Sequence, residues 1–263
     1  MAYTDTLSNE QKKNIQFLID EAQKAGITNP NSIAGMLAII SKESSFIPKE
    51  EKSYAGTDNS RIRKIFGSRV SGLTESQLTA LKANPVNFFN RVYGGRYGNA
   101  ANEGYKYRGR GFNQITFKGS YEKRGNQIGV DLVKNPEKLN EPKIAAKVAI
   151  QFFKDRIATL KRLNKLKSYN ADNINDFKNT KDATMAFYHA NTGAGKAVSV
   201  IKSKANSSVT GGMKKALERV DSLLSKIGVS KKKGFKMIGF TALLVVASYS
   251  ILKYSGLTNK IKT

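Results

Sequence analysis

Apolar residues recur at three- and four-residue intervals along most of the first 230 or so positions, the period of a helix with one buried face. Ser8 followed by Gln11 forms a capping-box pattern, and Ile15, Leu18, Ile19, Ala22 and Ala25 then carry a stripe to Gly26. This predicts a first amphipathic helix. Pro30 suits the first turn of a second helix, whose Ile33, Met36, Leu37, Ile39 and Ile40 lead to Ser41, Lys42, Glu43, Ser44, Ser45 and Phe46, with Pro48 as its stop. Helical patterns follow at about 75–82, 84–93, 142–163, 181–190 and 213–227. In the last of these, Met213, Ala216, Leu217, Val220, Leu223, Leu224 and Ile227 form one continuous stripe closed by Gly228, which predicts the last packed helix of the domain. Strand signals are sparse. The stretch 94–119 holds seven glycines with interleaved Tyr and Arg, an ordered loop with a short hairpin at 112–116. No internal repeat is visible, and the expected fold class is mainly α.

The pattern changes after residue 228. Lys231, Lys232 and Lys233 introduce 237–252, 16 residues without a charge, flanked by Lys236 and Lys253. Both lysines can snorkel, and Phe235, Tyr254 and Leu257 extend the apolar reach to the length of a bilayer span. Residues 237–257 therefore read as one transmembrane helix contacting a lipid bilayer, after a basic linker at 229–236 and before a short basic tail at 258–263; the other reading is a buried core helix. Five lysines on the N-terminal side of the span (Lys226, Lys231, Lys232, Lys233 and Lys236) and three on the other (Lys253, Lys260 and Lys262) place the main domain on the cytoplasmic face. The first residues, MAYTDTLSNEQKK, lack the basic-then-apolar order of a signal peptide. The expected location is a membrane crossed once near the C-terminus, either that of a virus particle or the cytoplasmic membrane of a host cell.

Composition narrows the chemistry. At 263 residues the chain can bury a core without staples, and it has no cysteine, which excludes disulfides, thiolate metal sites and a thiol nucleophile. Forty-five Lys and Arg against 20 Asp and Glu give a net charge of +25, a field that attracts polyanions. Nucleic acid, anionic lipid and a bacterial wall with acidic polymers all qualify. Nucleic acid is disfavoured, because the chain carries neither a recognition motif nor a stacking-aromatic platform. His189 has no second His or Cys at ligand spacing, so no metal site is expected. The glycine-rich loop lacks the Lys-Ser/Thr ending of a phosphate-binding P-loop.

Glu43 shares a helix face with Met36 and Ile40, where partial burial raises a carboxyl pKa and suits a proton donor; an ordinary solvated glutamate at a helix end fits as well. Glu50 and Glu51 follow on a polar loop where a carboxylate stays ionised. Two carboxyls in contrasting surroundings are what glycoside hydrolysis requires.

Tyr107, Arg108, Gly109, Arg110, Gly111, Phe112, Asn113, Gln114, Ile115 and Thr116, followed by Tyr121, resemble the YRGRG-x-x-Q-[LI]-T signature of glycoside hydrolase family 19, the chitinases and related endolysins. Glu43, Ser44 and Phe46 are similar to the family's His-Glu-Ser segment, with Lys42 where the histidine often stands. Asn90, Arg91, Val92 and Tyr93, Arg96, Tyr97, Gly98 and Asn99, and then Gly129, Val130, Asp131, Leu132, Asn135 and Pro136 resemble stretches of the endolysin branch. Asn191, Thr192 and Gly193 stand where the family has an Asn-Gly-Gly substrate loop, and Ser45 and Thr192 replace common glycines. The resemblance runs from about residue 30 to 225.

It implies a two-lobed, lysozyme-like helical domain over 1–228 with a cleft between lobes, and an inverting hydrolysis that needs no cofactor. Glu43 would be the proton donor and Glu51 the base, with Glu50 as the alternate because the loop after Phe46 cannot be aligned to one residue. Thr116 and Gln114 match positions that orient the water and the sugar. Tyr107 and Asn191 match substrate-cleft positions, whereas Arg108 and Arg110 are expected to pin the loop through buried ion pairs. Peptidoglycan is preferred to chitin as the partner glycan. A second possibility is a membrane-anchored structural protein that keeps the fold only to bind glycan.

Overall fold

The structure, a computed structural model, describes residues 3–207 and, beyond them, Ala216, Glu218, Arg219, Ser222 and Leu223. Nine α-helices form among the described residues: α1 (Asn9–Lys24), α2 (Pro30–Ser44), α3 (Asn59–Phe66), α4 (Glu75–Ala83), α5 (Pro85–Tyr93), α6 (Lys118–Ile128), α7 (Pro142–Arg162), α8 (Thr180–Gly193) and α9 (Val198–Ser207), with short 3-10 turns between some of them. The mainly helical expectation holds. In place of the hairpin at 112–116 there is one isolated antiparallel bridge, Arg110 to Ile115.

The start of α1 is the anticipated capping box: the Gln11 N–H donates to Ser8 Oγ and the Ser8 N–H donates to Gln11 Oε1. Asn29 caps α2 through the N–H groups of Asn31 and Ser32, with Pro30 in its first turn. Most of α2 is buried on every side, so it forms the centre of the large core, with α8 and α1 packed against it and α7 packed on both of those. Gly35 makes the closest approach possible: an added Cβ would lie 2.8 Å from the Thr184 N atom of α8.

Pro48 is not what stops α2. The helix ends at Ser44, because Ser45 and Phe46 both take positive φ (52° and 61°) and turn the chain back. From α1, Gln11 Nε2 donates to Ser45 O and Asn14 Nδ2 donates to Phe46 O, both at 2.8 Å. Phe46 itself is fully buried in the large core.

A second core, apart from the first, gathers Ile62, Val70, Leu78, Phe88, Phe89 and Val92 from α3, α4, α5 and the turn after α3. A third joins Tyr107, Ile115, Tyr121, Leu132, Leu139 and Val148 around the signature loop. The short helices α3, α6 and α9 were not evident from periodicity, because each buries too few apolar side chains to show a stripe; α6 buries only Tyr121, Arg124 and Gly125.

Within the expected last packed helix, Ala216 and Leu223 are helical and buried in the large core. Arg219 donates to Ser41 Oγ at 3.0 Å, and the Thr4 N–H donates to Ser222 Oγ at 2.9 Å, so this segment rests on α2 and the N-terminus. The linker at 229–236, the span at 237–257 and the tail at 258–263 lie outside the described residues. Among the described residues no helix is long and apolar enough to cross a membrane.

Candidate active site

Glu51 stands where the second core meets the signature loop. Its Oε1 accepts hydrogen bonds from Tyr54 Oη (2.8 Å) and Tyr93 Oη (3.0 Å), and its Oε2 accepts the Gly109 N–H (3.2 Å). Its own N–H donates to Gly109 O at 2.7 Å, so residue 51 and the loop are locked reciprocally. Three donors converge on one carboxyl. Burial, followed by the neighbouring Glu51 charge, raises the pKa of both phenols, which therefore remain protonated donors at neutral pH. Glycine leaves room at 109: an added Cβ would sit 2.8 Å from Gln114 Oε1 and 3.3 Å from Glu51 Oε2, and these side-chain ends would have to shift.

Glu50 turns to a different set of partners. Its Oε2 lies 2.6 Å from an Arg108 terminal nitrogen and 3.5 Å from Arg110 Nε, and both arginine side chains are nearly buried. Arg108 also lies over the Tyr105 ring, 3.9 Å from its centre, and donates to Tyr105 O. Arg110 donates to Lys106 O and to Tyr121 Oη, which in turn donates to Arg108 O at 2.7 Å. These arginines pin the signature loop, as their expected structural role requires.

Glu43 occupies the last turn of α2, half-buried. Lys42 Nζ donates to its Oε1 at 2.7 Å, a partner that the apolar-face argument did not anticipate. The Lys42 ammonium also lies 6.0 Å from the centre of the Tyr188 ring on α8. Asn191, three residues after Tyr188 and so on the same side of α8, is half-buried. This brings the anticipated Asn191 toward the Glu43 end of α2.

The remaining candidates divide. Thr116 Oγ1 donates to Gln114 O at 3.0 Å, which leaves its lone pairs to accept from a water or a sugar hydroxyl. Gln114 Nε2 donates to Lys49 O (2.8 Å) and Gly111 O (3.3 Å), joining the segment after α2 to the loop, so its Oε1 is the atom left for a ligand. Tyr107 must be corrected. It is fully buried in the third core, its hydroxyl donating to Val133 O at 3.0 Å, and it supports the loop from inside rather than lining a cleft. Packing is the reason: the ring meets Tyr121 edge-on, 5.4 Å between centres, in a small core shared with Ile115, Leu132, Leu139 and Val148.

Tyr54 was missed altogether, and Tyr93 was noted only for its place in a resembling stretch. The available signal was an aromatic three residues after Glu51 in an otherwise polar loop. His189 is buried and structural: Tyr169 Oη donates to its Nδ1 at 2.9 Å and its Nε2–H donates to Lys196 O at 3.0 Å. No group of three or more His, Cys, Asp or Glu residues among the described residues is placed to hold a metal ion.

Backbone strain is concentrated at this site. Among the described residues seven non-glycine positions have positive φ: Ser45, Phe46, Tyr97, Gln114 and Phe117, together with Asn164 and Asn170. Asparagine tolerates that conformation, whereas the first five do not adopt it readily, and all five flank Glu43 or lie in or beside the signature loop. Strain of this kind persists where surrounding structure holds it and clusters at functional sites.

Residues 91–162 match the family model for glycoside hydrolase family 19, chitinase class I. The matched stretch contains Tyr93, the whole signature loop and Tyr121; Glu43, Glu50 and Glu51 precede it, and Asn191 follows it. The match supports a glycoside hydrolase acting on a chitin- or peptidoglycan-like glycan. Among curated proteins, none matches the chain.

Proposed function

We propose that this protein hydrolyses β-1,4 bonds between N-acetylated amino sugars of peptidoglycan by an inverting single displacement. Glu51 carries the reading: it is held in fixed orientation by two phenols and by the backbone of the very loop that matches the hydrolase family. In the mechanism, Glu43 gives its proton to the glycosidic oxygen as the bond from the anomeric carbon to that oxygen breaks. Water attacks the same carbon from the opposite face and passes its proton to Glu51. The sum is one water consumed and one bond cleaved, with inverted configuration. Such a displacement needs the two carboxyls about 6.5–9.5 Å apart, leaving room for the water. Thr116, whose proton is committed to Gln114 O, accepts from the attacking water and aims it. Tyr54 and Tyr93 keep one oxygen of Glu51 occupied, so the proton goes to the other.

Peptidoglycan is favoured over chitin because a net charge of +25 suits an acidic wall, and because the stretches around the signature resemble the endolysin branch. The span at 237–257 anchors the enzyme in a membrane, that of a virus particle or the host cytoplasmic membrane. A viral membrane that meets the wall from outside gives a tethered enzyme access to its substrate.

The test is mass spectrometry of products from purified peptidoglycan and from chitin oligomers, using the full chain in detergent, with the anomeric form of fresh products read by NMR. Saccharides with a new reducing end and inverted configuration are expected, in greater yield from peptidoglycan. Retained configuration, or release of peptides without glycan cleavage, would overturn the reaction. Recovery of the full chain in the soluble fraction without detergent would overturn the anchor.

A further inference from the structure

Tyr97 is the most exposed large hydrophobic residue among those described, at 69%, yet nothing about its surroundings is loose. Its backbone has φ of 46°, a conformation that disfavours a tyrosine. The segment is tied down on both sides: the Gly119 N–H donates to Tyr97 O at 3.1 Å, the Lys118 N–H donates to Asn99 Oδ1 at 2.8 Å, and Asn99 Nδ2 donates to Tyr93 O at 3.0 Å. Gly98 lies so close that its added Cβ would be 3.2 Å from the Gly119 N atom. The ring meets Phe117 at 4.8 Å between centres, and the Arg96 guanidinium lies over both rings, at 5.4 and 5.3 Å. Arg96 is itself fixed by donating to Val92 O. A glycine would take the positive φ at less cost, and the ring stays 69% exposed despite its contacts with Phe117 and Arg96.

The position of the ring supplies the reason. Phe117 packs edge-on against Tyr93 at 5.3 Å, and Tyr93 donates to Glu51. Tyr97 is thus joined to the candidate base through two intervening rings, those of Phe117 and Tyr93. We propose that Tyr97 is a stacking platform for an outer N-acetylhexosamine unit of the bound strand, two or more sugars from the scissile bond. A pyranose presents a face of C–H groups, which matches the electron-rich face of an aromatic ring, and a clamped ring loses little freedom on binding. The strand must then extend beyond Glu51 on the α5 side by two or more sugar units.

The inference rests on the glycoside hydrolase reading, and the experiment separates the two. With the full chain in detergent, kcat and KM are measured on glycan oligomers of increasing length for the wild type, Tyr97→Ala, Tyr97→Phe and Tyr97→Trp. Tyr97→Ala should raise KM about five- to tenfold on long strands, with progressively less effect as the strand shortens and with kcat and melting temperature little changed; Phe and Trp should restore binding. Equal losses at all lengths, or none on the longest, would overturn the platform. If the wild type proves inactive, the hydrolase reading fails, and co-sedimentation with insoluble peptidoglycan and chitin still reports on Tyr97: weaker retention of Tyr97→Ala supports the platform and unchanged retention overturns it.

Discussion

Glu50 and Glu51 are adjacent in the chain, yet Glu50 reaches an Arg108 guanidinium at 2.6 Å while Glu51 receives the hydroxyls of Tyr54 and Tyr93 at 2.8 and 3.0 Å. Successive side chains of an extended segment point to opposite sides, so one register supplies both an ion pair and a caged carboxyl. Glu51→Gln should therefore lower turnover by at least about two orders of magnitude with the fold intact. Glu50→Gln should act on stability instead, because it removes the counter-charge of two nearly buried arginines. With Glu50 itself 47% exposed, roughly 1 kcal/mol is expected. Steady-state rates and melting temperatures for the two variants check this. The reverse pattern would make Glu50 the base.

Glu43→Gln preserves the size and the hydrogen-bonding reach of the side chain but removes a transferable proton. Turnover should fall by at least about a hundredfold. The Lys42 contact lies at a half-exposed helix end, so the melting temperature should hardly move. Near-normal activity would remove Glu43 from the mechanism and leave it as the partner of Lys42.

Gly109→Ala is a test of the lock between the loop and the proposed base. The new methyl would push on Gln114 Oε1 and Glu51 Oε2, both of which are tethered, Gln114 through Lys49 O and Glu51 through two phenols. A displaced Glu51 should cost about tenfold or more in kcat, with KM changing less, since misplacement of a reacting group acts on the transition state. Unchanged kcat would mean that Glu51 tolerates movement and does not position water.

Local signals were legible where a single element decides them. The Ser8 cap, Pro30 at the start of α2 and the ion-paired role of Arg108 and Arg110 all follow from neighbours in sequence or from the chemistry of a guanidinium in a glycine-rich loop. What depends on distant packing was not. Tyr107 looks like an exposed loop tyrosine until α6 and α7 are seen to close over it, and the end of α2 depends on Gln11 and Asn14 of α1 holding two left-handed residues. The different partners of Glu50 and Glu51 likewise depend on distant residues, Arg108 and Arg110 for the one and Tyr93 and Gly109 for the other.

Gly35→Ala should test how tightly the centre of the large core is built. An added Cβ would meet the Thr184 N atom at 2.8 Å and the Ala183 carbonyl carbon at 2.9 Å, backbone atoms that cannot rotate aside. The helices α2 and α8 would have to separate, and overpacking of this kind costs about 1–3 kcal/mol. Chemical denaturation should show that loss. Because α2 carries Glu43 and α8 carries Asn191, activity at a permissive temperature should fall as well. A variant as stable as the wild type would mean that the two helices slide apart without cost.

His189 should set an acid limit on stability. Burial, together with the charges of Lys165 and Lys196, lowers its pKa below the ordinary 6.5, and only its Lys196 O bond opposes this. Nδ1 is engaged as an acceptor of the Tyr169 hydroxyl, which a protonated ring could not be. The unfolded chain takes up the proton at about 6.5 while the folded chain resists it, so below that pH the unfolded state binds more protons and stability falls as pH decreases. The contribution is fully present above 6.5 and is lost progressively as pH drops through 6.5 toward the folded value. The carboxylates with clear shifts, Glu75, Glu103, Asp155 and Asp176, have pKa values lowered from 4.5 or 3.8, so they titrate further down. Melting temperatures between pH 7.5 and 5.5 should therefore decline in the wild type. In His189→Gln, whose amide can still accept from Tyr169 and donate to Lys196 O, the protein should be less stable at pH 7.5 but flatter across the same range. An equal slope in both proteins would assign the acid sensitivity to other groups.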